Sequence, residues 1–406
     1  MNSVRRPQIK KSILKLRGAV SAALLSLSLL GAAQSANAGA ELKLGDDAGV
    51  TLGFGIRTSY TSLEKGAPNG TSRSNDFSLD NVRLYLGGHY GKVIKATFNT
   101  ERTGGPANSG GDSIRVMDAI VQFEFAPEFN IWMGRMLPPS DRANLYGPFF
   151  ALPWSYPGTA SNYPNLAVGR DNGVMVWGKP FSGKVVYSGG VFEGHNKAAG
   201  LSGQSDKLLY AGRLAFNIWD PEPAPAHYTG GWYGGGKDIF TVALAGFTQT
   251  DGVGSAATPG KLKVWSADVL LEKKFSAGVP TFEAAYYKYK LGAVDCGSGE
   301  PGAPACGVAS NDNIGGQVDG KAYLLGGAFL FSQVVGWGQF QPFVRYQKFD
   351  RSLSNTTAKT TDFGLNYIIK GPNAKVTAMY SKLEDSRLAV ALRDRSMFTL
   401  GVQLQY

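Results

Sequence analysis

We read sixteen segments in this chain that alternate apolar and polar residues with a period of two. The first is VTLGFGIRTSYT at 50–61, and the last is SMFTLGVQLQY at 396–406. Side chains on a strand point alternately to opposite faces, so this period predicts β-strands. Each segment has about ten residues, the length that a tilted strand needs to cross a bilayer. We therefore expect an all-β protein, either a membrane barrel or a soluble sandwich with a buried apolar face.

The connections between these segments alternate in length, which distinguishes the two architectures. Outer-membrane barrels have short periplasmic turns and long external loops, and an even number of strands places both termini on the short-turn side. One connection, 220–237, is long but falls on the short-turn side, and the sequence explains it only as an insertion. We predict a transmembrane antiparallel β-barrel of about 16 strands with long external loops. The long connections are 64–76, 103–112, 137–170, 194–206, 251–260, 292–318, 351–359 and 383–395, and the short turns include 88–91, 126–129, 179–183, 276–279 and 371–373.

Residues 1–38 have the pattern of a cleavable secretory signal peptide. A basic stretch is followed by the small and apolar residues 18–33 and by the A-x-A site Ala36-Asn37-Ala38. The alternative is a single membrane anchor. We expect residues 39–406 to form the mature barrel in the outer membrane of a Gram-negative cell. The leader contains six basic and no acidic residues, which leaves 35 Lys+Arg against 31 Asp+Glu, so nucleic-acid binding has no support.

The C-terminal strand ends on an aromatic residue, with apolar residues at alternate positions before it. A barrel closes when its last strand pairs with its first, which leaves no edge. This ending resembles the signal by which the machinery for barrel insertion recognises its substrates. We therefore expect that machinery, outer-membrane lipid and lipopolysaccharide as partners. The residues of this assembly signal are Phe398, Leu400, Val402, Leu404 and Tyr406.

Four segments resemble the phosphate-selective porin O and P family. They are GRDNGVMVWG (169–178), GKVVYSGGVFEG (183–194), YAGRLAFNIWD (210–220) and PFVRYQKFD (342–350), and their order and spacing also match. The resemblance implies a trimeric sixteen-stranded porin whose long third external loop folds into the pore. It also implies that some members select phosphate by arginine and lysine side chains at the constriction.

The third loop of this chain would be 137–170, and it is poor in basic residues. It contains Arg142 and Arg170, has Asp141 beside the first of them, and contains no lysine. The phosphate-selective members have a richer basic cluster. This departure favours a weakly selective channel over a phosphate-specific one.

Polar residues on the wall decide what passes through a water-filled barrel. Strand parity places ten charged residues on the inward face: Arg57, Arg83, Lys95, Arg213, Arg345 and Lys375, with the acids Glu101, Asp118, Asp268 and Glu283. Guanidinium groups suit anionic solutes, so we predict a weak anion preference set at the third loop. The alternative is that acids and bases pair across the lumen, so that they make the wall hydrophilic without selecting solutes.

We expect a porin for small hydrophilic solutes and ions, with no catalytic activity, cofactor or metal. His89, His195 and His227 have no ligand spacing and lie in no Ser/His constellation. The alternatives are a channel selective for phosphate or short-chain amides, and a non-conducting barrel that acts as an adhesin or as a sleeve around a partner.

Two cysteines, Cys296 and Cys306, lie in the same external loop, in DCGSGEPGAPAC. They close a short Gly/Pro loop in an oxidising compartment, so we predict a disulfide. A pair of free thiols and a metal clip are the alternatives.

Overall fold

The computed structural model describes residues 40–103, 113–161, 169–194, 205–254, 259–290, 319–352 and 355–406. The predicted signal peptide 1–38 lies outside these residues, as do Cys296 and Cys306. The leader and the disulfide therefore stay predictions.

The described residues form sixteen long strands, which confirms the predicted architecture. Each strand pairs antiparallel with its neighbour in sequence. Two shorter strands, Ala40–Lys43 and Val334–Val335, extend this sheet at the short-turn end. The sixteen are β1 Ala48–Leu63, β2 Asp76–Tyr90, β3 Ile94–Thr103, β4 Ser113–Ala126, β5 Phe129–Met136, β6 Asp171–Gly178, β7 Val185–Phe192, β8 Leu209–Asn217, β9 Ile239–Gly254, β10 Pro259–Glu272, β11 Gly278–Lys290, β12 Gly320–Phe331, β13 Gly338–Arg351, β14 Thr357–Lys370, β15 Ala374–Asp385 and β16 Asp394–Gln405.

The sheet closes on itself because β16 pairs with β1. Their register runs from Met397 opposite Leu63 to Gln405 opposite Gly55. Closure satisfies the backbone groups that an open sheet would leave unpaired at its edges. The barrel that results is a closed, antiparallel cylinder of sixteen strands.

The wall is apolar outside and polar inside, the reverse of a soluble sandwich. In β16, Leu400 and Leu404 point outward and are 44% and 50% exposed, whereas Thr399 and Gln403 point into the lumen and are buried. An apolar exterior with a polar interior is the pattern of a barrel that lies in lipid. The alternation in the sequence therefore places its apolar face outside, and the soluble alternative is wrong.

The described residues contain little helix. One α-helix, α1, spans Arg142–Tyr146, and two 3-10 turns span Phe181–Gly183 and Val390–Leu392. No helix in the described part of the chain is long and apolar enough to cross a membrane.

Two connections enter the barrel from opposite ends. The third loop, 137–170, comes from the long-loop side and carries α1. Residues 218–238, which we call the inner segment, connect β8 to β9 on the short-turn side and include the buried side chains of His227 and Trp232. The sequence predicted that the third loop folds into the barrel, but it did not predict that the inner segment does so.

Candidate functional site

The third loop lies against the lumen wall, where donors from five strands hold its backbone. An irregular loop inside a barrel would otherwise bury carbonyl groups without partners. Here five wall side chains supply the hydrogen bonds, and three of them are cationic. The pairs are Gln403 to the carbonyl of Phe149 (2.8 Å), Lys375 to Ala151 (2.7 Å), Asn366 to Leu152 (3.0 Å), Arg57 to Trp154 and Arg345 to Ser155 (2.8 Å).

Aromatic rings of the same loop pack against this wall. The guanidinium of Arg57 lies 3.9 Å from the ring centroid of Trp154, a cation–π contact. The Trp154 indole N–H donates to Asp80 at 3.1 Å. Gly401 of β16 makes room for this ring, since a Cβ at that position would lie 2.6 Å from atoms of Trp154. The loop is thus fitted to this face of the barrel.

Arg142 is the most completely bound of the predicted site residues. It begins α1, and its side chain is 1% exposed. Its guanidinium donates twice to Glu222 of the inner segment (2.8 and 2.7 Å) and once to Asp268 of the wall (3.2 Å). Burial lowers the pKa of Arg142, but Glu222 and Asp268 more than offset this and hold it well above its usual value.

Asp268 lies between two arginines. Besides Arg142, it accepts two hydrogen bonds from Arg213, which also donates to the carbonyl of Ser140 at 3.1 Å. Charged hydrogen bonds of this bidentate kind are among the strongest in proteins. The predicted residues Asp141, Arg142, Arg213 and Asp268 therefore meet in one region of the lumen. Asp141 accepts hydrogen bonds there from Ser161 (2.9 Å) and Tyr287 (3.2 Å).

The inner segment contacts the third loop by its backbone as well as through Glu222. The hydroxyl of Thr229 donates to the carbonyl of Arg142 at 2.9 Å, and the amide of Gly231 donates to the carbonyl of Phe150 at 3.1 Å. On its other side, the amides of Tyr233 and Gly235 donate to Glu272 of the wall. Hydrogen bonds therefore link the two connections inside the barrel.

His227 of the inner segment is buried among aromatic rings. Its ring lies 5.6 Å from Trp132 and 4.8 Å from Tyr228. Neither of its nitrogens has a hydrogen-bond partner among the described residues. Burial lowers its pKa to about 3, with Arg213 and Lys179 acting in the same direction, so the imidazole is neutral.

The other predicted site residues lie in separate ion pairs along the lumen. Within this set Lys95 stands apart, because 43% of its side chain is exposed. The pairs are Arg83 with Glu101, Lys95 with Glu124, Arg170 with Asp118 at 3.0 Å, and Arg345 with Asp362 at 2.7 Å. Acids and bases thus pair in the lumen, the arrangement that the sequence left open.

No family model and no curated protein matches the sequence. Solved structures match the fold. The anion-selective porin from Comamonas acidovorans is 14% identical, with a TM-score of 0.58 over 89% of this chain and 100% of that one. A complex of OmpF from Salmonella typhi with daunomycin is 12% identical, with a TM-score of 0.59 over 90% and 100%. The outer-membrane channel DcaP of Acinetobacter baumannii is 12% identical, with a TM-score of 0.55 over 91% and 100%.

The fold is that of an outer-membrane porin. At these identities the likeness concerns the porin architecture alone. Within this porin fold, the inner segment is the part of the lumen that the sequence did not predict. The unusual length of 220–237 and its run HYTGGWYGGG, which combines rings with glycines, were the available signals. No group of three or more His, Cys, Asp or Glu side chains in the described ranges could hold a metal ion.

Proposed function

We propose that this chain forms a water-filled channel in the outer membrane of a Gram-negative cell, through which small hydrophilic solutes and ions diffuse passively. The observation that carries the proposal is the division of the closed wall into an apolar outside and a polar, charged inside. The apolar outside can contact lipid, because closure of the barrel leaves no backbone group of the wall unpaired. The polar inside can contact water and solutes.

We also propose a weak anion preference. Much of the lumen charge is cancelled, since six of the predicted basic residues have a carboxylate partner, whereas Arg57 and Lys375 are buried against carbonyl groups of the third loop. Lys95 is the predicted cation most accessible to ions, because 43% of its side chain is exposed against 20% of its partner Glu124. Strong phosphate selectivity would need cations that have no acidic partner and that solutes can reach, so we expect phosphate to block chloride current only feebly. Membership of the phosphate-selective porin O and P family remains a proposal.

The assembly of the barrel is proposed in the same way. Residues 1–38 would direct export, and the insertion machinery would recognise the outward row of β16 that ends at Tyr406. The mature chain would form a homotrimer in contact with outer-membrane lipid and lipopolysaccharide.

A second candidate is a non-conducting barrel, an adhesin or a sleeve around a partner. The contact between Arg142 and Glu222 favours it, because two connections from opposite ends occupy the lumen and hold each other. A lumen filled in this way conducts less than one narrowed by a single loop.

Planar-bilayer recording separates the two candidates. Purified protein should give single-channel steps, and in a KCl gradient its reversal potential should have the anion-selective sign. Lys95→Gln should reduce that potential, whereas Lys92→Gln, a matched change at an exposed turn residue, should not. Insertion without steps would favour the non-conducting barrel. Cation selectivity would overturn the proposed preference.

A further inference from the structure

Five lysines cluster on the outer wall at the long-loop ends of three adjacent strands. Lys288 is half-buried and the other four are exposed. In each strand they occupy the outward face, alternating with buried residues such as Leu262 and Val264. We call this cluster the lysine patch. It consists of Lys261 and Lys263 of β10, Lys288 and Lys290 of β11, and Lys321 of β12.

An aromatic row marks the level of the lysine patch along the barrel axis. In each of the three strands, the residue two positions from a patch lysine toward the strand centre is aromatic and points outward. These residues are Trp265, Tyr286 and Tyr323. Their ring centroids lie 5.2 Å and 5.3 Å apart in succession. Such rings settle at the interface between hydrocarbon and headgroups. If the barrel lies in the outer membrane, as proposed above, the lysines would therefore lie at the level of the outer-leaflet headgroups.

The strand register opposes lysine to lysine within the patch. Lys263 is directly opposite Lys290, and Lys288 is directly opposite Lys321. Like charges in such positions destabilise a sheet unless a counter-charge lies between them. The nearest outward acid in the register is Asp350, opposite Lys321, and it already pairs with Lys348 at 2.9 Å. Among the residues that the structure describes, the patch thus has an excess of positive charge.

The opposite half of the barrel has no comparable cluster among the described strand residues. At the long-loop ends of β1 to β9 the outward basic residues are Arg102 and Arg135. Arg102 donates to the carbonyl of Leu79 at 2.9 Å, and Arg135 donates to Asn172 at 3.0 Å. Both arginines bond to neighbouring strands of the barrel. The excess positive charge is therefore confined to the side formed by β10 to β12.

A groove of about 660 Å³ runs along the outer wall beside Lys263 and Trp265. Its floor includes Gly212 of β8 and Gly246 of β9, which lie opposite each other in the register. Glycines at these outward positions leave a recess between larger side chains such as Tyr210. The recess is apolar, and it begins where the lysine patch ends.

We propose that the lysine patch and this groove bind a phosphorylated glycolipid of the outer leaflet, the class to which lipopolysaccharide belongs. The lysine ammonium groups would receive its phosphates, which supply the missing counter-charge. The groove would hold one of its acyl chains. The inference rests on the membrane location in the proposed function, but not on conduction.

The test measures binding of purified diphosphorylated lipid A to the barrel in detergent by native mass spectrometry. Replacing four patch lysines by glutamine should weaken binding about tenfold or more. A matched variant removes four exposed lysines at the short-turn end and should bind like the unchanged protein. The patch changes are Lys263→Gln, Lys288→Gln, Lys290→Gln and Lys321→Gln, and the control changes are Lys43→Gln, Lys92→Gln, Lys274→Gln and Lys370→Gln.

Three results would overturn the inference: equal binding by both variants, equal binding of fully dephosphorylated lipid A, or complete displacement of the lipid by millimolar inorganic phosphate. A second measurement needs no variant, because binding by the unchanged protein should weaken as salt increases. Salt-independent binding would also contradict the inference. Conductance in a phosphatidylcholine bilayer, recorded separately, tests the channel, so its failure would leave the lipid result standing.

Discussion

The guanidinium of Arg142 makes two hydrogen bonds, of 2.8 and 2.7 Å, to the carboxylate of Glu222, although the two residues enter the barrel from opposite ends. Arg142 lies in the third loop and Glu222 in the inner segment. Their contact joins two connections that share no strand. This pair is therefore a charged link between the two connections inside the lumen.

Glu222→Gln should loosen that contact. The change keeps the shape of the side chain but leaves Arg142 with less compensation for its charge. We expect a loss of about 1–3 kcal/mol of unfolding free energy, as is typical when a buried hydrogen-bonded group loses its partner. Thermal unfolding should show it, and single-channel conductance should rise or fluctuate more. Glu128→Gln, at an exposed turn residue, is the matched control. Unchanged melting and conductance would show that the contact does not hold the lumen.

Lowering the pH should also loosen the contact between Arg142 and Glu222 in the unchanged protein. Burial raises the pKa of Glu222, but Arg142 and the hydroxyl of Tyr233 lower it by more, so the net shift is downward. The pair therefore stabilises the lumen above the usual glutamate pKa of about 4.3, and this contribution is lost as pH falls through the lowered value. Recordings between about pH 7 and 3 should show larger or noisier currents only at the acidic end. The response should be smaller in Glu222→Gln, and an identical response would assign it to other groups.

Leu400→Asp should impair membrane insertion. Leu400 points outward in the closing strand, opposite Tyr60 of β1. A charge on the lipid face near mid-bilayer costs about 2–4 kcal/mol for basic residues and less for acidic ones. Heat-modifiable mobility of the membrane fraction measures the folded barrel. Thr97→Asp, inward on β3, places the same charge in the lumen and should insert normally. Equal insertion of both variants would contradict the assigned faces.

Gly401→Ala should displace the third loop. The added Cβ would lie 2.6 Å from the Trp154 ring, which is rigid and held by Arg57 and Asp80. Overpacking of this kind costs about 1–3 kcal/mol, so we expect a lower melting temperature and altered conductance. Gly212→Ala is the comparison, because its Cβ would meet its nearest neighbour, the carbonyl oxygen of Ser188, at an ordinary 3.7 Å. Equal effects of the two changes would mean that the loop is not fitted to Gly401.

The sequence carried enough information to predict the barrel. Alternation is a local property, and in β16 it placed Leu400 and Gln403 on opposite faces before any partner strand was known. Loop lengths then indicated the two ends of the barrel. The disulfide, the leader and the anion preference stay predictions.

The charges of the lumen could be placed on the inward face from strand parity, but their partners could not. Arg345 bonds to Asp362 on the neighbouring strand and to Ser155 of the third loop, 190 positions away in sequence. Such pairings depend on strand register and on where a loop lies across the lumen. The sequence of a single strand gives neither the register nor the position of the loop.

The sequence by itself determined the strands and the two faces of each, because the period of two is set by backbone geometry and by the residues of each strand alone, and the alternating loop lengths then favoured a barrel over a sandwich. Only the tertiary structure decided that residues 218–238 turn inward and that Glu222 reaches Arg142. An irregular segment has no period to read, and its path follows from the partners that satisfy its buried polar groups. Those partners, here the third loop and Glu272, come from distant parts of the chain and meet only when the barrel has closed.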